Sequence, residues 1–528
     1  MEFTTAEAQY IALEADRAPF LYRARDSARL TLPYLVPEEG HNAHSRLNTP
    51  FQGVGARGVN NLASKLLLAL LAPNAPFFRL NFDENILRQE GATEEIIGEM
   101  EAALQRVEES VMEEVSRQSY RVGIHEALKH LIVSGNSLLY LPDGGGLRVF
   151  HLDRFVVQRD PMGNPLKIIT KETLAYDTLS DELKAAAGVR DGAGPDKECD
   201  LFTAVCLHGD DWVVHQEIKG TTVQGSEGSF KKDKSPYIPL RFSKIDGEDY
   251  GRGYVEEYIG DLISLEKLTQ AIVEGSAAAA KVLFLVNPNG TTRAKTLAES
   301  PNGAITQGNA ADVSVLQLDK YNDFRIAAQS IDVIRERLGH AFLLTSGVVR
   351  NAERVTAEEI RMLTLELESA LGGLYSLLSA ELQLPMVRRV MDVMGKEKKL
   401  PKLPKDLVTP VIITGIEALG RGNDLQKLDL FLAGAAQVVG PEAIAQYVNV
   451  EEYFKRRAVS LGIKTQGLVK TQEDIQQEQQ QAQMMAMAEK AAPQGAAALG
   501  NIARDAMAPS PEEGGAPVGE EGAPVAEE

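Results

Sequence analysis

Few residue strings in this 528-residue chain could do chemistry. The string Gly53-Val-Gly55-Ala-Arg-Gly58 matches G-x-G-x-x-G, which binds the pyrophosphate of a dinucleotide when it follows a buried strand. Residues 48–52 before it lack the pattern of a strand, and no acidic residue after a second strand follows. The string therefore predicts a flexible start to a helix at Arg57, with a nucleotide-dependent enzyme as the alternative.

The residues that could bind a metal ion or form disulfides are too few or too widely spaced for either role. His125 and His130 are five residues apart, which places them about 140° apart on a helix rather than on one face. Cys199 and Cys206 lack partners at zinc spacing and are too few for a disulfide framework. The phosphate-binding string G-x-x-x-x-G-K-[ST] is absent from the sequence. We expect no metal, no cofactor and no enzymatic activity.

Basic residues cluster in two places. Arg350 and Arg354 lie in a short loop between long helices, and Arg293, Lys295 and Lys320 lie in or beside a turn-rich segment. On residue type alone, these are solvated side chains. The formal net charge of −20 argues against a broad surface that grips nucleic acid, since such binding depends on Lys and Arg.

The elements around these residues predict an α+β, mainly helical chain. Helical periodicity covers much of residues 1–133, and β-branched alternation covers 137–169 and 201–224. A long helix from Tyr254, a turn-rich segment and a returning helix at 323–344 predict a two-helix stalk with a tip. Thr356 has capping-box spacing to Glu359, so a third long helix begins there. No apolar stretch approaches the roughly 20 residues that cross a bilayer.

Several sequence blocks resemble the portal, or head-to-tail connector, proteins of short-tailed podoviruses of the autographivirus type. The resemblance spans about residues 15–470, and its main blocks are Asp16-Arg-Ala-Pro19, Gly55-Ala-Arg-Gly-Val-Asn-Asn-Leu-Ala-Ser-Lys65, Gly247-Glu-Asp-Tyr-Gly-Arg-Gly-Tyr254, Glu353-Arg-Val-Thr-Ala-Glu-Glu-Ile-Arg361 and Gly415-Ile-Glu-Ala-Leu-Gly-Arg-Gly422.

The resemblance implies a portal fold assembled as a ring of about twelve subunits with closed cyclic symmetry. Its implied regions are a wing at 1–250, stem helices at 251–280 and 323–344, a clip at 281–322, a tunnel loop at 345–355, a long bent helix at 356–384, a crown at 385–470, and a Gln-rich helix with a disordered acidic tail at 471–528.

The implied function is a structural channel for packaging and ejecting double-stranded DNA. The implied partners are the terminase large subunit, the major capsid and scaffolding proteins and the tail adaptor proteins, without a membrane. The implied location is the portal vertex of the virion, reached from the host cytoplasm during assembly. In this setting Arg350 and Arg354 would contact DNA in the channel, because arginine bridges phosphate oxygens. A tail adaptor ring is the remaining alternative.

Overall fold

A computed structural model describes two compact units, residues 1–420 and 421–528. The described residues of the first unit are 5–41, 44–72, 76–82, 94–187, 198–279, 283–301, 303–316, 321–344, 367, 371, 373–401 and 408–412. Those of the second unit are the helical residues 430–435, 437 and 453. The architecture below is that of the first unit.

The described helices confirm the predicted helical character, with shifted ends. They are α1 (Ala6–Arg29), α2 (Val54–Leu70), α3 (Glu94–Arg117), α4 (Tyr120–Ser134), α5 (Asp181–Ala186), α6 (Tyr254–Glu257), α7 (Ile259–Ala279), α8 (Ala294–Glu299), α9 (Tyr321–Ala341), α10 (Leu374–Leu378) and α11 (Leu384–Lys396). Thr5 caps α1 by accepting a hydrogen bond from the amide of Ala8 at 3.2 Å. None of the described helices is both long and apolar enough to span a bilayer.

The strands between residues 136 and 222 lie within or beside the two segments of predicted alternation, whereas those before residue 83 and after residue 227 lie outside them. They are β1 (Phe78–Phe82), β2 (Asn136–Tyr140), β3 (Arg148–Phe150), β4 (Phe155–Arg159), β5 (Pro165–Ala175), β6 (Glu198–His208), β7 (Asp211–Ile218), β8 (Thr221–Thr222), β9 (Gly228–Lys231), β10 (Tyr237–Arg241), β11 (Leu283–Val286), β12 (Val313–Leu316) and β13 (Val408–Ile412).

These strands form an antiparallel six-stranded sheet and three smaller ones. The large sheet has the order β4-β5-β6-β7-β8, with β9 also paired to β7. The smaller sheets are β10-β2-β3, β11-β12 and β1-β13. The pairing of β1 with β13 brings together two segments that are far apart in the sequence, since Phe78 lies opposite Ile412.

Three segments differ from the sequence predictions, each for a local reason. The predicted continuous helix from Tyr254 is interrupted at Tyr258, whose backbone leaves helical geometry before α7 begins. Residues 181–198, whose small and polar composition predicts a surface loop, contain α5, which Ser180 caps by accepting a hydrogen bond from the amide of Leu183. The predicted long helix through residue 384 contains a π-turn at Ser379–Gln383. The predicted bend at Gly372-Gly373 falls largely outside the described residues.

Arg17 fastens α1 to the large sheet. It is 1% exposed, and its guanidinium donates to the hydroxyl of Tyr10 at 2.8 Å and to the carboxylate of Glu14 at 2.7 Å. It also donates to the backbone carbonyls of Leu152, Asp153 and Phe155. These bonds use the Nη1 and Nη2 atoms, whereas the buried Nε has no hydrogen-bond partner among the described residues. A buried guanidinium needs such bonds because the loss of its hydration would otherwise be uncompensated.

A second buried cluster holds the π-turn against the sheets. Arg241 donates to the carboxylate of Glu381 through its Nε and Nη2 atoms, the latter at 2.5 Å, and Arg159 lies 3.8 Å from the same carboxylate. Burial lowers the pKa of Arg159 to about 10, which still leaves the guanidinium charged at neutral pH. Because Glu381 lies in the π-turn and Arg241 ends β10, the cluster fixes the helix relative to the sheet.

Two histidines are buried side by side at the end of α4. The ring of His130 stacks on that of His151 with 6.2 Å between centroids. Burial, and then the neighbouring His151, lower the pKa of His130 to about 3. Burial also lowers the pKa of His151 to about 4, with Asp153 opposing the shift and Arg154 and Arg17 adding to it. Both imidazoles are therefore neutral in the folded protein at pH 7.

We predict that acid destabilises the fold well above the carboxylate range. Between pH 6.5 and 5 the unfolded chain binds protons at these histidines and the folded chain does not, so stability falls as the pH falls. Each histidine contributes a slope of up to about 1.4 kcal/mol per pH unit. His130→Leu should reduce the fall in the thermal unfolding midpoint between pH 7 and 5, whereas the exposed-residue control His208→Leu should not. Equal pH profiles for wild type and His130→Leu would contradict the prediction.

Candidate functional site

The stalk, defined as α7, the β11-β12 tip and α9, is the feature that the sequence singled out. Its two helices run in opposite directions and bury a shared apolar face, formed by Leu262, Leu265, Ile331, Ile334 and Leu338. Arg337 of α9 lies 3.0 Å from the carboxylate of Asp261 on α7. This ion pair joins the two helices near the body, a name used here for the described residues of the first unit outside the stalk. The predicted helix–tip–helix order is therefore present.

Farther along the stalk, a glycine allows the helices to approach. A Cβ atom at Gly275 would lie 2.7 Å from the ring of Phe324 on α9, whereas one at Gly260 of the same helix would meet nothing within 4 Å. Gly275 is therefore required by packing and Gly260 is not. Ala277 and Ala278, near the end of α7, are exposed.

One carboxylate organises the tip. Asp312 accepts hydrogen bonds from the backbone amides of Thr291 at 2.7 Å and Thr292 at 3.1 Å, and from both threonine hydroxyls. These bonds, led by that of the Thr292 amide, lower the pKa of Asp312 below its usual value. The carboxylate thereby holds the turn after β11 beside the residue that precedes β12, beyond a strand ladder that spans four residues on each side.

The structure describes two of the three basic residues predicted to act at the tip. Arg293 is exposed just before α8, and Lys295 is an exposed residue of α8 whose ammonium lies 4.0 Å from Glu299. Such an exposed pair contributes little to stability. Lys320, Arg350 and Arg354 lie outside the described residues.

Charge is unevenly divided within the stalk region. The helices α6 and α7 carry five acidic residues and one basic residue, Lys267, whereas α9 carries three of each sign. The acidic residues are Glu256, Glu257, Asp261, Glu266 and Glu274. The resulting excess of four negative charges, five minus one, lies on one helical segment and not on the returning helix.

The end of α9 inserts into the body at a joint with α2. Phe342 is fully buried, and its ring lies 5.8 Å from that of Tyr254 and 6.0 Å from that of Tyr258. A Cβ atom at Gly58 would lie 2.6 Å from Cγ of Phe342. Only glycine at position 58 therefore leaves room for this ring.

Polar side chains of α2 hold the backbone at the same joint. Asn61 donates to the carbonyls of Phe342 at 3.0 Å and Leu343 at 3.1 Å, and the ammonium of Lys65 donates to that of Leu343 at 3.0 Å. Leu343 has a left-handed φ of 54°, so the chain leaves the helix direction at this residue. These contacts satisfy carbonyls at the helix end that would otherwise lack partners.

The joint explains the glycine string and corrects its interpretation. The predicted flexible start at Arg57 is wrong, because α2 already begins at Val54 and both Gly55 and Gly58 are buried within it. A Cβ atom at Gly55 would lie 2.5 Å from the carbonyl oxygen of Leu30. Both glycines therefore serve helix packing, and the described residues before α2 contain no strand, so the nucleotide alternative loses its support.

The histidines and cysteines do not form a site. His125 lies 3.3 Å from the hydroxyl of Ser64, away from the stacked His130. Cys199 and Cys206 lie seven residues apart on one strand, about 23 Å along it. Within the part of the chain that the structure describes, no group of three potential ligands could hold a metal ion.

Sequence reasoning missed the joint, although one signal pointed to it. The block from Gly55 to Lys65, which carries part of the resemblance, contains Gly58, Asn61 and Lys65 at helical spacing. Glycines one turn apart on an apolar helix indicate a face where another element approaches closely. No sequence pattern near α2, however, identifies Phe342 as the residue that packs against Gly58.

We predict opposite effects for the two glycines of α7. Gly260→Ala should raise the free energy of unfolding by about 0.5–1 kcal/mol, because alanine loses less backbone entropy in a helix. Gly275→Ala should lower it by about 1–3 kcal/mol through overpacking against Phe324. Thermal unfolding midpoints of the two variants provide the measurement. An unchanged or raised midpoint for Gly275→Ala would show that Gly275 is not a packing position.

Comparisons with known proteins agree along almost the whole chain. The family model described as bacteriophage head to tail connecting protein matches residues 4–469. The portal protein of Escherichia phage T7 is 42% identical, over 95% of this chain and 96% of the relative. That of Enterobacteria phage T3 is 41% identical, over 96% and 94%, and that of Enterobacteria phage SP6 is 34% identical, over 89% and 91%.

Solved structures of gene transfer agent particles are more distant. A chain of the native virion aligns with a TM-score of 0.35 and 11% identity, over 78% of this chain and 90% of that one. A chain from the neck of the native particle gives a TM-score of 0.32 and 12% identity, over the same shares. These values are too low to support an argument about fold. The sequence matches establish that the chain belongs to the family of bacteriophage head-to-tail connecting proteins, which confirms the resemblance to podovirus portal proteins.

Proposed function

We propose that this protein assembles into a ring of about twelve subunits whose stalks surround a channel for double-stranded DNA. The observation that carries the proposal is the outward surface of the stalk. Ile326 and Val333, seven residues apart on α9, are 60% and 58% exposed, and Val273 on α7 is 50% exposed. Apolar residues repeated along one helix face indicate a contact with another surface. A second copy of the same stalk, repeated by closed cyclic symmetry, supplies it.

The regions of a portal subunit are assigned accordingly. Residues 1–250 form the wing, 251–280 and 323–344 the stem, and 281–322 the clip. Residues 345–355 form the tunnel loop, 356–384 the long bent helix and 385–470 the crown, followed by the acidic tail. In support, α7 and α9 match the stem segments, and β11, β12 and α8 match the clip.

The proposed role is structural and not enzymatic. As a member of this family, the protein belongs to the portal vertex of a phage virion. It nucleates capsid assembly with the major capsid and scaffolding proteins and docks the terminase large subunit, then the tail adaptor proteins. The sequence lacks the phosphate-binding loop of an ATPase, so the terminase supplies the energy of packaging. The adaptor alternative is disfavoured because the full-length relatives are portal proteins.

Charge supports passage of DNA without adhesion. The acidic excess on α6 and α7 repels phosphates wherever these helices face the duplex, so the DNA is not held by counterion release. We assign phosphate contact to Arg350 and Arg354 of the tunnel loop, where a few guanidinium groups suffice as a clamp. Arg293, Lys295 and Lys320 are assigned to the clip surface that meets the terminase or the tail.

We expect the purified protein to form annular particles of about twelve subunits by electron microscopy and mass measurement. The double variant Ile326→Glu with Val333→Glu should disrupt them. Loss of each apolar burial costs about 1.5–3 kcal/mol per contact, so the concentration of half-assembly should rise at least about tenfold.

Met162→Glu is the matched control, because Met162 is an equally exposed apolar residue, at 73%, outside the stalk. It should leave assembly unchanged. A wild-type protein that stays monomeric at all salt concentrations would overturn the ring. Unchanged assembly of the stalk variant would overturn the assignment of the interface.

We further expect Arg350→Gln and Arg354→Gln rings to bind short duplex DNA with a weaker dependence on salt. Each lost phosphate contact should reduce the slope of log binding constant against log salt concentration by about 0.9. Arg293→Gln serves as the control, since this clip residue lies outside the tunnel loop and should leave the slope unaltered. Identical slopes for all rings would refute the assigned phosphate contact.

A further inference from the structure

The joint between α2 and the stalk is the place where the returning helix α9 meets the body, beside α6, the short helix that leads into α7. Tyr254 of α6 donates a hydrogen bond from its hydroxyl to the carbonyl of Ala341 at 2.9 Å. The ring of Phe342 packs edge-on to Tyr254 at an interplanar angle of 88°. Tyr254 lies five residues before the start of α7, and Ala341 ends α9, so the segment that leads into the stalk and the helix that returns from it are tied together at the root of the stalk.

The body side of the joint is made almost entirely by one face of α2. Gly58, Asn61 and Lys65 succeed one another at three- and four-residue intervals, so they lie on the same side of the helix. Gly58 accommodates the Phe342 ring, and the other two bind the carbonyls of residues 342 and 343. The position of the stalk root is therefore specified by both shape and hydrogen bonding.

We propose that this joint fixes the tilt of the stalk against the body and so sets the bore of the ring, with Gly58, Asn61 and Lys65 as positioning residues. The inference rests on the proposed ring. It assigns the width of the DNA channel to residues that need not touch DNA. Long side chains that line the channel would then change its diameter only locally, because the joint sets the spacing of the stalks around it.

The geometry of a lever makes the bore sensitive to this site. The helix α9 has 21 residues, which gives it a length of about 30 Å. Packed helices lie about 9 Å apart, so moving one root by about 1 Å relative to the other tilts the pair by about 6°. The far end then moves by about 3 Å. Since opposite subunits move together, the bore at the tip changes by about twice that distance.

The test compares ring bores by cryo-electron microscopy for Gly58→Ala and two companions. The added methyl group would lie 2.6 Å from Cγ of Phe342, so the ring must move by about 1 Å to regain contact distance. We expect a bore changed by several ångströms, about 6 Å at the tip by the same lever. In Gly58→Ala with Phe342→Ala, the obstructing ring is gone and the bore should return toward that of wild type.

Gly53→Ala is the matched control from the same glycine string, since a Cβ atom there meets nothing within 4 Å. Its rings should have the wild-type bore. Lys65→Met is a second variant, which removes the bond to the carbonyl of Leu343 without adding volume, and it should also shift the bore. If Gly58→Ala does not fold, the bore of the Lys65→Met rings tests the proposal by itself.

A lowered unfolding midpoint with an unchanged bore, in both Gly58→Ala and Lys65→Met, would overturn the proposal and leave these residues as stabilising contacts only. Failure of the ring itself is a separate outcome. If the wild-type protein forms no rings, the proposed function fails first, and the same measurement identifies that case.

Discussion

The close approach of other chain segments to α2 is the constraint on which the fold of the first unit depends. Gly55 and Gly58, three residues apart, admit the carbonyl of Leu30 and the ring of Phe342. At the other end of the helix, the side-chain amide of Gln383 donates to the carbonyl of Leu70 at 2.8 Å. One helix therefore fixes the turn after α1, the root of the stalk and the π-turn, because a rigid rod cannot satisfy one contact independently of the others.

Buried charge gives the same segments their orientation. Arg17 joins α1 to carbonyls before and within β4, and Arg241 joins β10 to Glu381. Hydrophobic contact is non-directional, whereas a guanidinium in a dry environment must direct its donors at acceptors. The apolar core thus holds the elements together, and the arginines determine how they are aligned. Removal of one partner would leave an uncompensated buried charge.

The stalk combines properties that suit a repeated assembly. Its inner face is apolar and closed by Arg337 with Asp261, while its outer face keeps isolated apolar residues among charged ones. In the proposed ring, these residues supply apolar area for contact with a neighbouring copy. The proposed ring would also place the acidic α6–α7 segment of one copy beside the neutral α9 of the next, because cyclic symmetry joins unlike faces of neighbouring subunits.

The sequence by itself determined the main helical and strand regions, the family and the order of the stalk. Apolar periodicity marked the helical region at 1–133 and placed the stalk helices α7 and α9 within a few residues, because a helix or strand with one buried face records that face in its own sequence. The tertiary structure decided what non-local contacts require: Gly58 against Phe342, Gln383 against Leu70, and β1 beside β13. These partners are separated by some 280 to 330 residues, and no local pattern encodes which distant segment will fill the space that a glycine leaves.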